Sequence, residues 1–208
     1  MMKKRIALFG GTFDPIHLAH TKVVHTAVDY LQADRAVFIP AKRSPLKDSF
    51  PQATDEQRIC MIKYAIAGNQ RFDVSDYELK GPAPSFTLNT VKHFKATFGP
   101  ATSLYWLMGA DAVRDLCKWY GVNELLDLCT LTTMVRPCCP KPDFSRFNPV
   151  LGRKKVKQLQ ANLLETPLIN ISSTQVRALL SQGKDASHFL APEVYAYIKK
   201  ERIYQVGR

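Results

Sequence analysis

The stretch IALFGGTFDPIHLAH, residues 6–20, decides how this chain is organised. It begins with a short apolar run, Ile6 to Phe9, which is typical of a buried strand. Gly10 and Gly11 follow at once, and because glycine has no Cβ, backbone amides at these positions can approach a ligand closely. A strand, a glycine turn and a helix start, in that order, predict a phosphate-binding loop.

Two histidines narrow the kind of phosphate site. His17 and His20 are three residues apart, so a helix that starts near them places both on one face, where both imidazoles can donate to phosphate oxygens. A zinc site is disfavoured because no third ligand lies at a sensible spacing. The stretch also lacks the lysine of a Walker loop and the third glycine of a dinucleotide fingerprint, so it matches neither of those nucleotide sites.

Asp14 and Pro15 leave two possibilities for the first helix. Either Asp14 caps a helix that begins at Pro15, or the loop stays irregular and the helix begins near Leu18. In both cases the positive end of the helix dipole faces the site. Asp14 is therefore expected to have a structural role and not to act as a base.

A second candidate phosphate site lies near the end of the chain, in ISSTQVR, residues 171–177. Ser172 followed three residues later by Gln175 is a capping-box pattern, which predicts a helix that starts at Ser173. The free amides and the hydroxyls at that helix start can hold phosphate oxygens. Arg177 lies about one turn further on and can supply a guanidinium fork.

Strand and helix patterns alternate along the chain. Strands are predicted at Ile6–Phe9, Ala36–Ile39, Phe72–Val74, Ser103–Met108, Thr130–Val135 and Leu168–Ile171, and helices at Leu18–Leu31, Asp55–Ala67, Thr87–Thr97, from Asp111, at Val122–Leu128, Arg153–Asn162, Ser173–Ser181 and Pro192–Lys200. Residues 41–54 and 136–151 are predicted loops. This alternation predicts an α/β fold with a mainly parallel sheet and helices on both faces. Glycines follow two of the strands, at Gly10-Gly11 and at Gly109, and if those strands are neighbours where the strand order reverses, both loops face one crevice.

Composition limits the choice of function. At 208 residues the chain suits one domain, residues 1–208, with a small helical C-terminal part over about 172–208. The net charge of +11 favours anionic partners such as nucleotides. Five cysteines without a C-x-x-C pair suggest neither a zinc site nor a disulfide framework. With no apolar run near the roughly 18 residues that a membrane helix needs, a cytoplasmic protein is expected.

Seven segments together resemble the nicotinate mononucleotide adenylyltransferases of the nucleotidyltransferase superfamily. The stretch GTFDPIHLAH resembles the superfamily motif GTFDP-(V/I)-H-x-G-H, and ISSTQVR resembles ISST-x-x-R. The remaining segments point to the family and are PAKRSPLK (40–47), Tyr77-Glu78 before Ser85-Phe86-Thr87, Gly109-Ala110-Asp111, Trp119-Tyr120 and PEVYAYI (192–198). The match runs nearly end to end and implies a Rossmann-like, doubly wound sheet.

The resemblance implies an enzyme that transfers AMP from ATP to nicotinate mononucleotide and releases pyrophosphate. The implied catalytic residues are His17, His20, Lys47 and Arg177. The implied ATP-binding residues are Gly10, Gly11, Thr12, Phe13, Asp111, Ile171, Ser172, Ser173 and Thr174. The implied residues for nicotinate mononucleotide are Ser85, Phe86, Thr87, Trp119 and Tyr120. Mg²⁺ is expected to bind to substrate phosphates and water, with no metal site made by the protein.

Three positions depart from the family pattern. Ala19 replaces the usual glycine before the second histidine and adds a methyl where adenosine packs. Leu46 replaces the histidine of the PHK segment, and Phe86 replaces the tyrosine of SYT. None of these changes removes a group from the two phosphate-binding motifs.

Other readings remain possible at this point. A related adenylyltransferase could act on nicotinamide mononucleotide or on phosphopantetheine. The phosphopantetheine family, however, has a threonine at the position of His17. A basic RNA-binding protein would explain the charge but not the two motifs. No nucleic-acid or membrane partner is expected, and the sequence is compatible with a monomer or a dimer.

Overall fold

A single six-stranded sheet forms the centre of the protein, whose computed structural model describes residues 4–43, 45, 50–135 and 140–205. The strands are β1 (Arg5–Gly11), β2 (Arg35–Pro40), β3 (Phe72–Val74), β4 (Ser103–Gly109), β5 (Thr130–Val135) and β6 (Leu163–Glu165). Every neighbouring pair is parallel, in the order β3-β2-β1-β4-β5-β6. The direction of winding reverses between β1 and β4, so the expected Rossmann-like, doubly wound sheet is confirmed.

Helices connect the strands and extend beyond the last one. They are α1 (Leu18–Tyr30), α2 (Asp55–Ile66), α3 (Tyr77–Lys80), α4 (Thr87–Phe98), α5 (Val122–Leu128), α6 (Asn148–Ala161), α7 (Ser173–Ser181) and α8 (Pro192–Lys200). Segments of 3₁₀ helix lie at Ala110–Lys118, Ser145–Phe147 and Ser187–Phe189. Among the residues described, no helix combines the length and apolar character needed to span a bilayer.

The two faces of the sheet bury separate apolar clusters. Ala7 and Phe9 of β1 face a cluster that includes residues of α1, α2, α7 and α8. Ile6 and Leu8 alternate with them and face the cluster that includes α4, α5 and α6. The helices after β6 therefore pack on the same face as α1, which begins immediately after the first motif.

Two expectations for the region after β5 are wrong. The last strand is Leu163–Glu165 and not Leu168–Ile171. Leu164 is buried and pairs in register with Met134 of β5, whereas Leu168 is 61% exposed. The apolar run at 168–171 gives the clearer strand pattern in the sequence, because Leu163-Leu164, directly after a helix, is too short to give one of its own.

The predicted loop at 136–151 is also partly helical. Residues 136–139 lie outside the described chain, but Ser145–Phe147 form a 3₁₀ helix and α6 already begins at Asn148. Gly152, with φ of 76°, interrupts α6 immediately before Arg153, the predicted helix start. The basic run from Arg153 thus forms the second, longer segment of this helix.

Candidate active site

The carboxyl ends of β1 and β4 form a crevice where the strand order reverses. The two strands are hydrogen-bonded neighbours, with Phe9 opposite Leu107. The glycines that end them, Gly10-Gly11 and Gly109, line one cavity of about 410 Å³. The expectation that both glycine loops face a common crevice is confirmed, and this position is the usual ligand site of such sheets.

Gly10 and Gly109 are needed for close packing at this edge. A Cβ at Gly10 would lie 2.6 Å from the ring of Trp106, a β4 residue that forms part of the cavity wall. A Cβ at Gly109 would collide with the carboxylate of Asp111, which folds back over that position. Both glycines thus let side chains approach the backbone that borders the crevice.

The buried carboxylate of Asp14, in the first motif, accepts several hydrogen bonds. Its Oδ1 accepts hydrogen bonds from the backbone N–H of Ala53 (3.0 Å) and from the Tyr204 hydroxyl (2.8 Å), and its Oδ2 accepts from the backbone N–H of Gln52 (2.9 Å). The side chain is buried. The expectation of a structural role for Asp14 agrees with this geometry, because each carboxylate oxygen already accepts from a fixed donor.

Arg58 also stabilises the loop of the first motif, and the sequence interpretation did not identify it. This guanidinium is fully buried and donates to the carbonyl oxygens of Thr12 (2.8 Å) and Ala41 (2.7 Å) and to Asp55 (2.6 Å). Arg58 precedes buried Met61 by three residues, so it lies on the apolar face of α2. A charge on an apolar helical face was the available signal.

The second motif converges on the first. Arg177 donates from Nη1 to the Asp14 carbonyl oxygen (2.7 Å), and this nitrogen lies 3.9 Å from the Asp14 Oδ2 atom. The Ser173 hydroxyl donates to the carbonyl oxygen of Pro15 (2.9 Å). Ser172 caps α7 by accepting from the Gln175 N–H (3.1 Å), so the predicted helix start at Ser173 is confirmed. These contacts join α7 to Asp14 and Pro15, which precede His17 by three and two residues.

His17 and His20 lie at the start of α1. The helix begins at Leu18 with His17 as N-cap, which favours the irregular-loop alternative for Asp14 and Pro15. The imidazoles stack with centroids 3.7 Å apart, and the His20 Nδ1 accepts from the His17 backbone N–H (3.2 Å). The two side chains therefore act as one preformed unit.

Burial makes His17 a neutral imidazole near pH 7. Loss of hydration lowers the pKa of His17 from 6.5 to about 4. Within the described part of the chain, its buried Nδ1 has no hydrogen-bond partner. An unpartnered polar atom in this position is a natural contact for a bound ligand, since buried polar groups are rarely left unsatisfied.

The residues expected to bind the acceptor lie together on the cavity wall. Ser85, Phe86, Thr87, Trp119 and Tyr120 all line the cavity. The rings of Phe86 and Tyr120 lie 5.0 Å apart, and Tyr120 is 60% exposed. The Trp119 Nε1 atom is buried without a hydrogen-bond partner among the described residues. Flat apolar faces and one unused donor suit a heteroaromatic ring.

Glu78 fixes the loop that carries Ser85. The buried carboxyl accepts a hydrogen bond from the Thr90 hydroxyl (2.6 Å). Burial raises the pKa of Glu78, and the hydrogen bonds from Thr90 and Ser85 offset only part of that rise. Ser85 is also tied to the loop after β2, accepting from the Lys42 N–H (3.1 Å) and donating its own N–H to the Arg43 carbonyl (3.0 Å). The backbone of this loop is therefore held in place before any ligand binds.

The predicted site residues fall into two groups. The polyphosphate side consists of residues 10–20 and 171–177, and the acceptor side consists of residues 85–87 and 119–120. Gly10, Gly11 and Thr12 line the cavity together with Asp111, while His20 adjoins it through its ring contact with Phe9 (6.1 Å). His17, Arg177 and the start of α7 are joined to the cavity through the loop at 12–17 and do not line it themselves.

Three further predictions for the site have different outcomes. Lys47 and Leu46 lie outside the described residues. Asp111 lies in the first turn of the 3₁₀ helix at Ala110–Lys118, for which Gly109 is the N-cap residue. In the described part of the chain, no three His, Cys, Asp or Glu side chains gather into a group that could hold a metal ion.

The fold and the site together define a nucleotidyltransferase. The sequence model of the cytidylyltransferase-like family matches residues 8–179, which include both motifs and the crevice between them.

Within this class, the chain belongs to the nicotinate-nucleotide adenylyltransferase family. It is 33% identical over 207 residues to a probable nicotinate-nucleotide adenylyltransferase of Clostridium tetani, covering 98% of this chain and 100% of that protein. A protein with the same description from Synechococcus sp. (strain JA-2-3B'a(2-13)) is 34% identical, covering 98% of each chain. The resemblance stated from the motifs is confirmed.

The fold is similar to that of solved structures in the same family. Nicotinic acid mononucleotide adenylyltransferase of Plasmodium falciparum complexed with NaAD superposes with a TM-score of 0.72 at 19% identity, covering 97% of both chains. The putative nicotinate-nucleotide adenylyltransferase of Vibrio parahaemolyticus gives a TM-score of 0.68, covering 98% of this chain and 97% of that one. These likenesses concern the fold.

Proposed function

We propose that this protein transfers AMP from ATP to nicotinate mononucleotide, forming nicotinate adenine dinucleotide and pyrophosphate in NAD biosynthesis. An oxygen of the mononucleotide 5′-phosphate attacks the α-phosphorus of ATP, and the bond to the bridging oxygen between the α- and β-phosphorus breaks. The observation that carries this proposal is the convergence of the two motifs beside a cavity lined by the acceptor-side residues. Such a reaction depends on positioning and on charge stabilisation more than on covalent chemistry.

The polyphosphate side supplies donors for the triphosphate. His17 and His20 stack as one unit, and the His17 Nδ1, which has no partner among the described residues, gives that unit a hydrogen-bonding position for a ligand. Arg177 uses Nη1 on the Asp14 carbonyl oxygen, and its Nη2 makes only a long contact of 3.5 Å with the Thr174 hydroxyl, so the guanidinium fork can still turn to phosphate oxygens. Developing charge on the leaving pyrophosphate is therefore met by donors fixed in advance.

The acceptor side supplies a slot for the nicotinate ring. Trp119 offers an aromatic face and an indole N–H that no described residue accepts from. The backbone at 85–87 is held by Glu78 and the loop after β2. The backbone amides of Phe86 and Thr87 suit the nicotinate carboxylate, because amides bind an anion without a desolvated cation, whereas the Ser85 amide already donates to the Arg43 carbonyl oxygen. Phe86 lacks the hydroxyl of the family tyrosine but leaves these amides unchanged.

We expect Mg²⁺ to be carried to this site by the substrate phosphates. The Asp14 carboxylate already accepts three hydrogen bonds and lies beside Arg177. Mg²⁺ prefers oxygen ligands and commonly keeps several waters beside phosphates. When bound, it would neutralise phosphate charge, while the protein orients the reactants.

Pyrophosphate release is the decisive measurement. The purified protein is incubated with ATP and Mg²⁺ plus nicotinate mononucleotide, nicotinamide mononucleotide or phosphopantetheine, with ATP alone as the control. We expect the largest kcat/KM with nicotinate mononucleotide. A higher value with either other acceptor would reassign the acceptor side, and salt-sensitive RNA binding with no pyrophosphate release would contradict the enzyme proposal altogether.

A further inference from the structure

The chain beyond the last helix returns to the phosphate-binding loop. After α8 ends at Lys200, Ile203 and Tyr204 are buried, and the Tyr204 hydroxyl reaches Asp14, 190 residues away in sequence. Burial and the Asp14 charge raise the pKa of Tyr204, so the phenol stays protonated and donates this hydrogen bond. The contact therefore joins the end of the chain to the centre of the first motif.

The backbone on both sides of this contact adopts a conformation that side chains rarely take. Arg202 and Tyr204 have φ of 52° and 67°, and Phe13, next to Asp14, has φ of 49°. Non-glycine residues persist in the left-handed region only where the surrounding structure holds them there. The burial of Tyr204 and its hydrogen bond provide such restraint at the tail, and the buried ring of Phe13 does so at the loop.

We propose that Tyr204 is a positioning residue that, through Asp14, keeps the Arg177 guanidinium available to the phosphates of ATP. The Tyr204 hydroxyl and the Ala53 amide hold Oδ1, and the Gln52 amide holds Oδ2, so the carboxylate cannot turn. In this orientation Arg177 bonds the Asp14 carbonyl oxygen at 2.7 Å, and its Nη1 stays 3.9 Å from the nearer carboxylate oxygen.

Loss of the Tyr204 hydroxyl weakens the set of hydrogen bonds that orients the Asp14 carboxylate. With the hydroxyl removed, Oδ1 keeps only the Ala53 amide, so the carboxylate is held less firmly and can shift toward Arg177 to form a closer pair with the guanidinium. Arg177 is then drawn toward Asp14 and away from the crevice. The role of Arg177 rests on the proposed function, whereas the geometry of the Tyr204–Asp14 contact does not.

The test compares Tyr204→Phe with Tyr195→Phe. Tyr195 lies on α8, and its hydroxyl hydrogen-bonds Asp185, so the control also removes a phenol–carboxylate contact from the C-terminal part. We expect Tyr204→Phe to lower kcat/KM for ATP about tenfold, with KM for nicotinate mononucleotide within about twofold of wild type. Tyr195→Phe should leave both values unchanged.

A double-mutant cycle separates positioning from general stability. If Tyr204 acts through Arg177, adding Tyr204→Phe to Arg177→Ala should cost little further activity. The same tenfold loss of kcat/KM for ATP in the Arg177→Ala background would overturn the proposal. A rise in KM for both substrates together with a lower melting temperature would overturn it too. A Tyr204→Phe enzyme equal to Tyr195→Phe would overturn it as well.

Tripolyphosphate binding keeps this inference distinct from the proposed function. Inactive wild-type protein would contradict the adenylyltransferase assignment, but its affinity for tripolyphosphate, measured by calorimetry, still reports on Arg177. We expect Tyr204→Phe to bind tripolyphosphate more weakly than wild type and Tyr195→Phe to match it. Equal affinities for all three proteins would reject the role of Tyr204 whether or not the wild type is active.

Discussion

The polyphosphate side of the crevice is held by polar contacts from distant parts of the chain, whereas the acceptor side presents faces that are partly open. Residues 12–15 receive hydrogen bonds from Arg58, Ser173, Arg177 and Tyr204. Across the cavity, Tyr120 is 60% exposed, and the Trp119 indole N–H has no partner in the described part of the chain. For the proposed reaction, this difference implies that charge stabilisation is built in before binding, while the fit to the acceptor ring is completed by the ligand.

Replacing His20 with alanine is the strongest way to break this comparison. If the polyphosphate side carries the chemistry, His20→Ala should lower kcat by about two to four orders of magnitude, because a preorganised phosphate donor is lost. Steady-state pyrophosphate release measures the effect, with circular dichroism to check the fold. His25→Ala, an exposed position on the same helix, is the matched control. Near-normal turnover would remove the histidine pair from the mechanism.

The buried His17 predicts a pH dependence of stability. Its pKa is lowered to about 4 by burial, while the unfolded chain takes up a proton near 6.5, so stability falls as pH drops through this window. The loss should reach about 3 kcal/mol near pH 4. His17→Asn, which can still cap α1, should lack this loss. Urea unfolding of both proteins from pH 7.5 to 4.5 measures it, and parallel curves would contradict a buried neutral imidazole.

Substitutions at Trp119 sharpen the other half of the comparison and have the smallest expected effect. Trp119→Ala should raise KM for nicotinate mononucleotide about tenfold with little change in KM for ATP, because a stacking face is lost. Trp119→Phe keeps an aromatic face but lacks the indole N–H. If Trp119→Phe has the wild-type KM for nicotinate mononucleotide, the aromatic face accounts for binding. If its KM is raised as in Trp119→Ala, the indole N–H binds the ligand. An unchanged KM in both variants would make Trp119 part of the core alone.

Several elements were predictable because their signal is local. The strand at 6–9, the helix start at Ser173 and the loop with Gly10 and Gly11 each depend on a few neighbouring residues. The site residues on both sides of the crevice were likewise named from short motifs. The strand at 163–165 was missed because one half-buried and one buried leucine become a strand only through pairing with β5.

The supporting residues were harder to find for a related reason. Arg58 lies 46 positions from the Thr12 carbonyl it binds, and Tyr204 lies 190 positions from Asp14. Nothing in the sequence near either residue shows its partner. A charge on the apolar face of α2 was the one usable sign for Arg58, and Tyr204 had none.

By itself the sequence determined the alternation of strands and helices, the two phosphate motifs and the membership of a nucleotide-transferring family. Short-range periodicity, capping and glycine geometry carry that information within a few residues. Only the tertiary structure decided that Asp14 would be the point where residues 52–53, Arg177 and Tyr204 meet. The physical reason is that a buried carboxylate must find its donors wherever the fold brings them, and packing sets those neighbours, whatever their distance along the chain.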